Sequence, residues 1–277
     1  MEGLFDFLKC IYGLFGFPFK LKLSTRPETF LGDIETWDLA ESKLKTELDK
    51  FAAAGNGQWE LNEGDGAFYG PKIDVTISDA LKRDHQCATL QLDFQLPQRF
   101  ELEYMTAEQA SEKPKDTAVN GESGPSDKPK VLGPGRARPV MIHRTIIGSF
   151  ERFMAILTEH FGGKWPFWLS PRQILVVPVG AGQNDYVEEV QKVLRANKLI
   201  ADMDISGNTM QKKIRAGQLK QYNFIFVLGN QEKEARAVNI RNRDDKETQA
   251  KGDLIQLDEA VSKLKALKKE RRLVNRI

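Results

Sequence analysis

Cysteine is scarce in this chain: Cys10 and Cys87 are the only two among 277 residues. So few exclude a disulfide framework and any paired-cysteine metal knuckle, and they fit a reducing, cytosol-like compartment. Long apolar runs are also missing, since no stretch approaches the roughly 20 uninterrupted apolar residues of a membrane span. The greasy start, 3–12, is broken by Asp6 and Lys9. It has neither a basic leader nor a small-residue cleavage site, so it does not read as a signal peptide. Nor is there an excess of one charge: 41 basic residues stand against 39 acidic ones, net +2. That balance alone predicts no nucleic-acid partner. Only the segment 263–277 is one-sided, with Lys263, Lys265, Lys268, Lys269, Arg271, Arg272 and Arg276 against Glu270. Such a run reads as a solvated helix face, or as a contact for RNA or membrane.

What is present is enough for two domains, with 40% apolar residues to build cores. Between 106 and 138 the composition collapses into Lys, Pro, Ser, Gly, Glu and Asp. This predicts a disordered insertion. The flanks read as two strands of one sheet, Leu90, Leu92 and Phe94 alternating upstream and 139–143 following downstream, so the insertion is not a domain linker. Loop closure entropy grows only logarithmically with length, which makes such an insertion cheap. The boundary falls instead near Trp168 and Pro171. The part before it, 1–168, reads as α+β: helices at 4–14, 38–53 and 149–161, and strands at 19–23, 73–77 and 89–94 in an antiparallel sheet with helices on one face. In the helix at 38–53, Leu39, Leu44, Leu48 and Phe51 recur inward. The part after it, 172–277, alternates strands (174–179, 199–205, 222–228, 237–241) with helices (185–196, 209–219, 258–270). This predicts a small α/β domain with a mainly parallel sheet.

Three spots carry more functional residue types than structure requires. In 66–74, two glycines and Pro71 fix a tight backbone that places Tyr69 and Lys72 at the mouth of a sheet. A hairpin turn with a solvated lysine is the plainer reading. In 85–91, strand alternation points Gln86 and Ala88 one way, Cys87 and Thr89 the other. Polar groups there need partners, which a ligand or an exposed edge would equally supply. In 141–154, a strand passes through Gly148 and Ser149 into a helix whose first turn holds Glu151 and Arg152. Arg152 opposes the helix macrodipole there, which suits a phosphate or a flat aromatic base. An arginine merely paired with Glu151 is the alternative.

These stretches together carry a resemblance. The strand, Gly and helix ending in Glu151-Arg152 looks like motif 3 of class II aminoacyl-tRNA synthetases. With Leu23-Ser24-Thr25-Arg26-Pro27-Glu28, 66–72, 86–94 and 140–152, the chain resembles the threonyl-tRNA synthetase family, closest to its eukaryotic cytosolic forms. The segment 166–171 matches that family's junction into an anticodon-binding domain.

The resemblance implies a catalytic-domain portion followed by an anticodon-binding domain at 172–277. It implies threonine, ATP with Mg and threonine tRNA as partners, a cytoplasmic location, no membrane, and a family homodimer built through motif 1. By the same resemblance, Tyr69 and Lys72 lie against threonine and the adenylate-forming region, and Gln86, Thr89 and Gln91 line the ATP and amino-acid pocket. Arg152 stacks under adenine and meets the phosphate tail, with Ser149 near by. His143 is one ligand of the family's zinc, whose other two lie upstream of this region. Cys10, His85, Cys87 and His160 are misplaced to complete that site. Arg26-Pro27-Glu28 imitates the Arg-x-Glu of motif 2 but stands downstream of it, so motifs 1 and 2 are expected to be missing and one half of the active site present. Arg215, Glu232 and Arg241 fall at anticodon-contacting positions, with Lys212, Lys213, Lys220, Asn230 and Arg243 around them. Thr209 stands where bacterial relatives carry lysine. Two other readings are a synthetase-like chain that only binds tRNA, and a prolyl- or histidyl-tRNA synthetase.

Overall fold

The computed structural model describes residues 2–106, 132 and 135–277. They form two compact units, one of Met1–Gly13 with Phe17–Ala155, the other of Leu14–Gly16 with Ile156–Ile277. The bulk of the insertion expected to be disordered, 107–131 with 133 and 134, lies outside the described residues.

The first unit is α+β. Its sheet joins β1 (Phe19–Ser24), β2 (Trp59–Asn62), β3 (Lys72–Ser78), β4 (Asp84–Asp93) and β7 (Met141–Thr145) in the order β2-β1-β3-β4-β7. Only the β1–β2 pairing is parallel. The alternation seen in sequence becomes a division between faces. Leu21, Leu23, Ile73, Val75, Ile77, Ala88 and Leu90 are buried on one side. Helices α1 (Glu2–Phe15) and α2 (Ile34–Ala53) cover that side, with ring centroids 5.5 Å apart for Tyr12–Phe19 and 6.2 Å for Phe19–Phe51. α2 starts a turn earlier than its periodicity suggested. Trp37 and Ala40 are buried with Leu44, Leu48 and Phe51, whereas Leu39 is 62% exposed. The reason is angular: five residues from Leu39 to Leu44 turn the helix about 140° away from a shared face.

Strands β4 and β7 are antiparallel neighbours, Gln91 opposite His143, so the insertion does interrupt one sheet. Its neck is a short ladder of β5 (Tyr104–Met105) and β6 (Arg136–Ala137), beside an ion pair of Arg136 with Glu103.

The second unit has the sheet order β12-β11-β10-β8-β9, made of β8 (Ile174–Pro178), β9 (Ala201–Met203), β10 (Phe224–Leu228), β11 (Ala237–Asn242) and β12 (Asp253–Gln256). The expectation of a mainly parallel sheet needs correction. β9, β8 and β10 run parallel, but β11 and β12 join antiparallel. The polar, turn-rich chain around β12 hid that strand. One face packs Val176, Phe224, Phe226 and Ile240 against α5 (Asn184–Ala196) and α9 (Leu257–Lys269). The other packs Leu175, Val177, Ile225 and Val227 against Ile214 of α6 (Met210–Leu219). Two short helices, α7 (Asn230–Glu234) and α8 (Lys246–Lys251), complete the unit.

Candidate functional site

On the uncovered face of the first sheet the strand register lines polar residues into rows. Partners in directly paired positions share a face. One row runs Asn62, Ser24, Lys72, Gln91 and His143; the next runs Glu60, Lys22, Asp74, Thr89 and Thr145. Gln86 stands opposite Thr76 on the same side. Lys72, Gln86, Thr89, Gln91 and His143, scattered over 72 positions of sequence, are therefore brought onto one face.

Strict alternation, which would have separated Gln86 from Thr89, fails at a β-bulge. The register shifts between Val75 and Thr76, so Cys87 is the extra residue. Gln86 Nε2 then donates to Asp74 Oδ1 at 2.6 Å and Thr89 Oγ1 to the same oxygen at 3.3 Å.

The Gly66–Lys72 turn closes on this face. Its glycines are there for contact: a Cβ on Gly66 would lie 2.4 Å from the Thr25 carbonyl oxygen, and one on Gly70 1.9 Å from that of Leu92. Tyr69 donates to Gln91 Oε1 at 2.5 Å. Lys72 is not a solvated lysine. Its ammonium pairs with Asp74 at 3.1 Å and Asp65 at 3.3 Å. Burial alone would push its pKa down, but the two carboxylates more than offset this and raise it, so Lys72 is cationic at neutral pH.

At the other end of the row His143 Nε2 meets Asp93 Oδ2 at 2.8 Å. Burial pushes the Asp93 carboxyl up, yet hydrogen bonds from His143 and from the Leu96 and Gln95 amides at the start of α3 (Gln95–Arg99) hold it below the usual carboxylate range. These residues line a cavity of about 510 Å³ with Leu31, Phe68, Tyr69, Gln91 and Arg99. A zinc ion needs about four donors of the Cys, His or carboxylate kind. Among the described residues no three His, Cys, Asp or Glu gather to hold a metal. His143 with the Asp93 carboxylate beside it makes at most two donors, and this set does not by itself fit the ion.

The turn after β7 leads into α4 (Phe150–Phe161). Gly148 has φ +66°, and a Cβ there would lie 3.0 Å from the Cys87 carbonyl oxygen, which explains glycine beside the bulge. Ser149 Oγ donates to Glu151 and accepts from the Arg152 amide. Glu151 is therefore engaged with Ser149. Arg152 is exposed and has no ion pair among the described residues, which removes the alternative of a simple Glu151–Arg152 pair. From beneath, buried Tyr12 donates to the Ile146 carbonyl at 2.5 Å. Tyr12→Phe leaves that carbonyl without its donor and is expected to cost about 1–3 kcal/mol, read as a melting temperature lower by several degrees. An unchanged melting temperature would remove the anchoring role.

Arg26, the imitation of motif 2, is used locally. It bonds Asp38 at 2.8 Å and lies over the Phe30 ring at 5.3 Å.

In the second unit, Arg215 is exposed on α6, and no ion pair engages it among the described residues. Arg241 stands opposite Ile225 on the α6 side of the sheet. Its Nη1 donates to the Gln249 and Ala250 carbonyls at the end of α8. Glu232 accepts from the Gly229 amide at 2.8 Å. Both therefore have structural work of their own. Of the surrounding basic residues, Lys213 is buried, and Arg243 is tied to Asp244 and to the Trp165 carbonyl. Thr209 is the N-cap of α6, accepting from the Lys212 amide, which a lysine could not do.

Asp74 and Asp93 were not singled out from sequence. An aspartate between Ile73 and Val75 is the signal that could have found the first, since a charge in an apolar strand needs partners.

Residues 173–267 match the model of an anticodon binding domain. With the polar-faced sheet before it, this points to the class II aminoacyl-tRNA synthetases. The comparisons narrow the class. The chain is 54% identical over 98% of its length to the cytoplasmic threonine–tRNA ligase of Saccharomyces cerevisiae, covering 34% of that protein. It is 52% identical over 89% of its length to the human cytoplasmic threonine–tRNA ligase 1, covering 30%. A crystal structure described as the RNA binding domain of threonyl-tRNA synthetase from Cryptosporidium parvum Iowa II aligns with 95% of this chain and 58% of that one, at 44% identity and TM-score 0.80. The chain is similar to a C-terminal portion of eukaryotic cytosolic threonyl-tRNA synthetases. It spans about a third of the length of the curated relatives.

Proposed function

We propose that this chain serves cytoplasmic threonine–tRNA ligation, with 1–168 supplying the motif 3 half of the active site and 172–277 the anticodon-binding domain. The observation that carries the reading is the open face that gathers Lys72, Gln86, Thr89, Gln91 and His143, followed in the chain by an exposed Arg152 that has no ion pair among the described residues. In the reaction, a threonine carboxylate oxygen attacks the α-phosphorus of Mg-bound ATP, pyrophosphate leaves, and threonyl-adenylate forms. A terminal hydroxyl of threonine tRNA then attacks the acyl carbon and AMP leaves. Arg152 stacks on adenine and pairs with phosphate oxygens, its fork and planar face suiting both tasks. Ser149 fixes the start of the helix that carries it. Lys72 offers a positive charge to the reacting carboxylate and phosphate, Tyr69 packs against threonine, and Gln86, Thr89 and Gln91 line the pocket. His143 donates to zinc only if other ligands reach it from elsewhere.

On the second unit, Arg215, Glu232 and Arg241 read unstacked anticodon bases by hydrogen bonds and stacking. Arg215→Ala is the clean test, because Arg241→Ala also removes the contacts that close α8. The expected loss is about 1–3 kcal/mol of binding to threonine tRNA, with much less loss for a transcript of altered anticodon. Equal losses for both transcripts would reduce Arg215 to a phosphate contact.

A further inference from the structure

Asp74 is a buried charge on the open face, 3% exposed at the centre of its row. Donors from three strands converge on it. Oδ2 accepts from Ser24 of β1 at 2.7 Å and pairs with Lys72 of β3 at 3.1 Å. Oδ1 accepts from Gln86 and Thr89 of β4. An ionised carboxylate accepts and cannot donate. It therefore decides which way the Gln86 amide lies: the NH2 group faces Asp74, and Oε1 is left outward without a partner among the described residues. The Thr89 hydroxyl spends its one proton on the same oxygen and likewise keeps its lone pairs outward. The Ser24 hydroxyl is satisfied on both sides, since it also accepts from Asn62 Nδ2 at 3.2 Å.

We infer that Asp74 is a positioning residue that sets the hydrogen-bond polarity of the site, locking Gln86 and Thr89 as outward acceptors and holding Lys72 beside them. This rests on the functional reading above and deepens it. The ligand group it selects is a hydrogen-bond donor, an ammonium or a hydroxyl, and a group with only acceptors is rejected there. An Asn at 74 has an amide that can turn either way, so it leaves the Gln86 amide free to flip and Lys72 with Asp65 alone.

The test is titration of the 277-residue chain with a sulfamoyl analogue of threonyl-adenylate, with Asp74→Asn, Gln86→Met and the double variant. Each single change is expected to weaken binding roughly tenfold, and the double variant to bind within about twofold of the weaker single, because one residue acts through the other. Binding by Asp74→Asn within twofold of the parent, or losses that multiply in the double variant, would overturn the inference. A 2′-deoxyribose version of the analogue separates the two donors. The Asp74→Asn penalty disappears with it if the ribose hydroxyl is read, and persists if the amino group is.

A second readout needs no ligand and covers an Asp74→Asn chain that does not fold. In the parent chain the side-chain amide protons of Gln86, assigned through Gln86→Met, are expected to be shifted downfield and slow to exchange beside those of exposed Gln58. Random-coil shifts and fast exchange at Gln86 would overturn the role of Asp74. A parent chain that shows the Gln86 signature but has no affinity for the analogue would instead overturn the functional reading.

Discussion

Arg152→Ala is expected to abolish measurable nucleotide binding while leaving the fold intact. Arg152 is exposed at the first turn of α4 and engages no carboxylate among the described residues, so its removal breaks no ion pair among them. On the proposed reading, what it removes is a charge-assisted, two-pronged contact to phosphate plus a stacking surface for the base. Together these are worth about 3–4 kcal/mol, roughly a 200- to 1000-fold weaker affinity for Mg-ATP. Calorimetry on both chains, with melting curves as a check of folding, reads this directly. Arg152→Lys should recover only part of the affinity, because an ammonium has the charge without the fork or the plane. Retained affinity in Arg152→Ala would withdraw the motif 3 role from this residue.

Gly70→Ala should have the largest effect on stability. The added Cβ would sit 1.9 Å from the Leu92 carbonyl oxygen, a backbone atom that cannot rotate away. The turn or strand β4 must move, and overpacking of this kind costs about 3 kcal/mol or more. For a unit of this size that lowers the melting temperature by roughly 10 °C. Because the same turn carries Tyr69 and Lys72, ligand affinity should fall as well. Gly13→Ala is the matched control. It lies in α1 with nothing within 4 Å of the new methyl, and alanine favours a helix over glycine by about 0.5–1 kcal/mol. The two substitutions should therefore shift stability in opposite directions. A Gly70→Ala chain as stable as the parent would show that the close approach is not maintained in solution.

Much of the fold was legible because apolar spacing reports directly on burial. The strands at Leu21–Leu23 and Ile73–Ile77 and the helices of the second unit are found close to where periodicity places them. The errors fall where another rule overrides spacing. Leu39 looked inward until Trp37 and an earlier helix start rotated the face. β12 and the short helices α7 and α8 have too few apolar residues to register. The site divides in the same way. Resemblance named Lys72, Gln86, Thr89, Gln91 and His143, but strict alternation would have put Gln86 and Thr89 on opposite faces, and only the bulge at Cys87 reunites them. Asp74 and Asp93, which hold these side chains in place, match no motif, because their role exists only through partners distant in sequence.

Threonine-dependent exchange of pyrophosphate into ATP, run on the 277-residue chain with zinc present and serine as control, tests the account most directly. Arg26 is occupied by Asp38, and among the described residues His143 has no group of three candidate metal donors around it. The account therefore predicts a folded chain that binds Mg-ATP and threonine tRNA, yet exchanges no more with threonine than with serine. Exchange that requires threonine and disappears in Arg152→Ala would contradict the half-site, because a second phosphate clamp would then have to lie among residues assigned other work here.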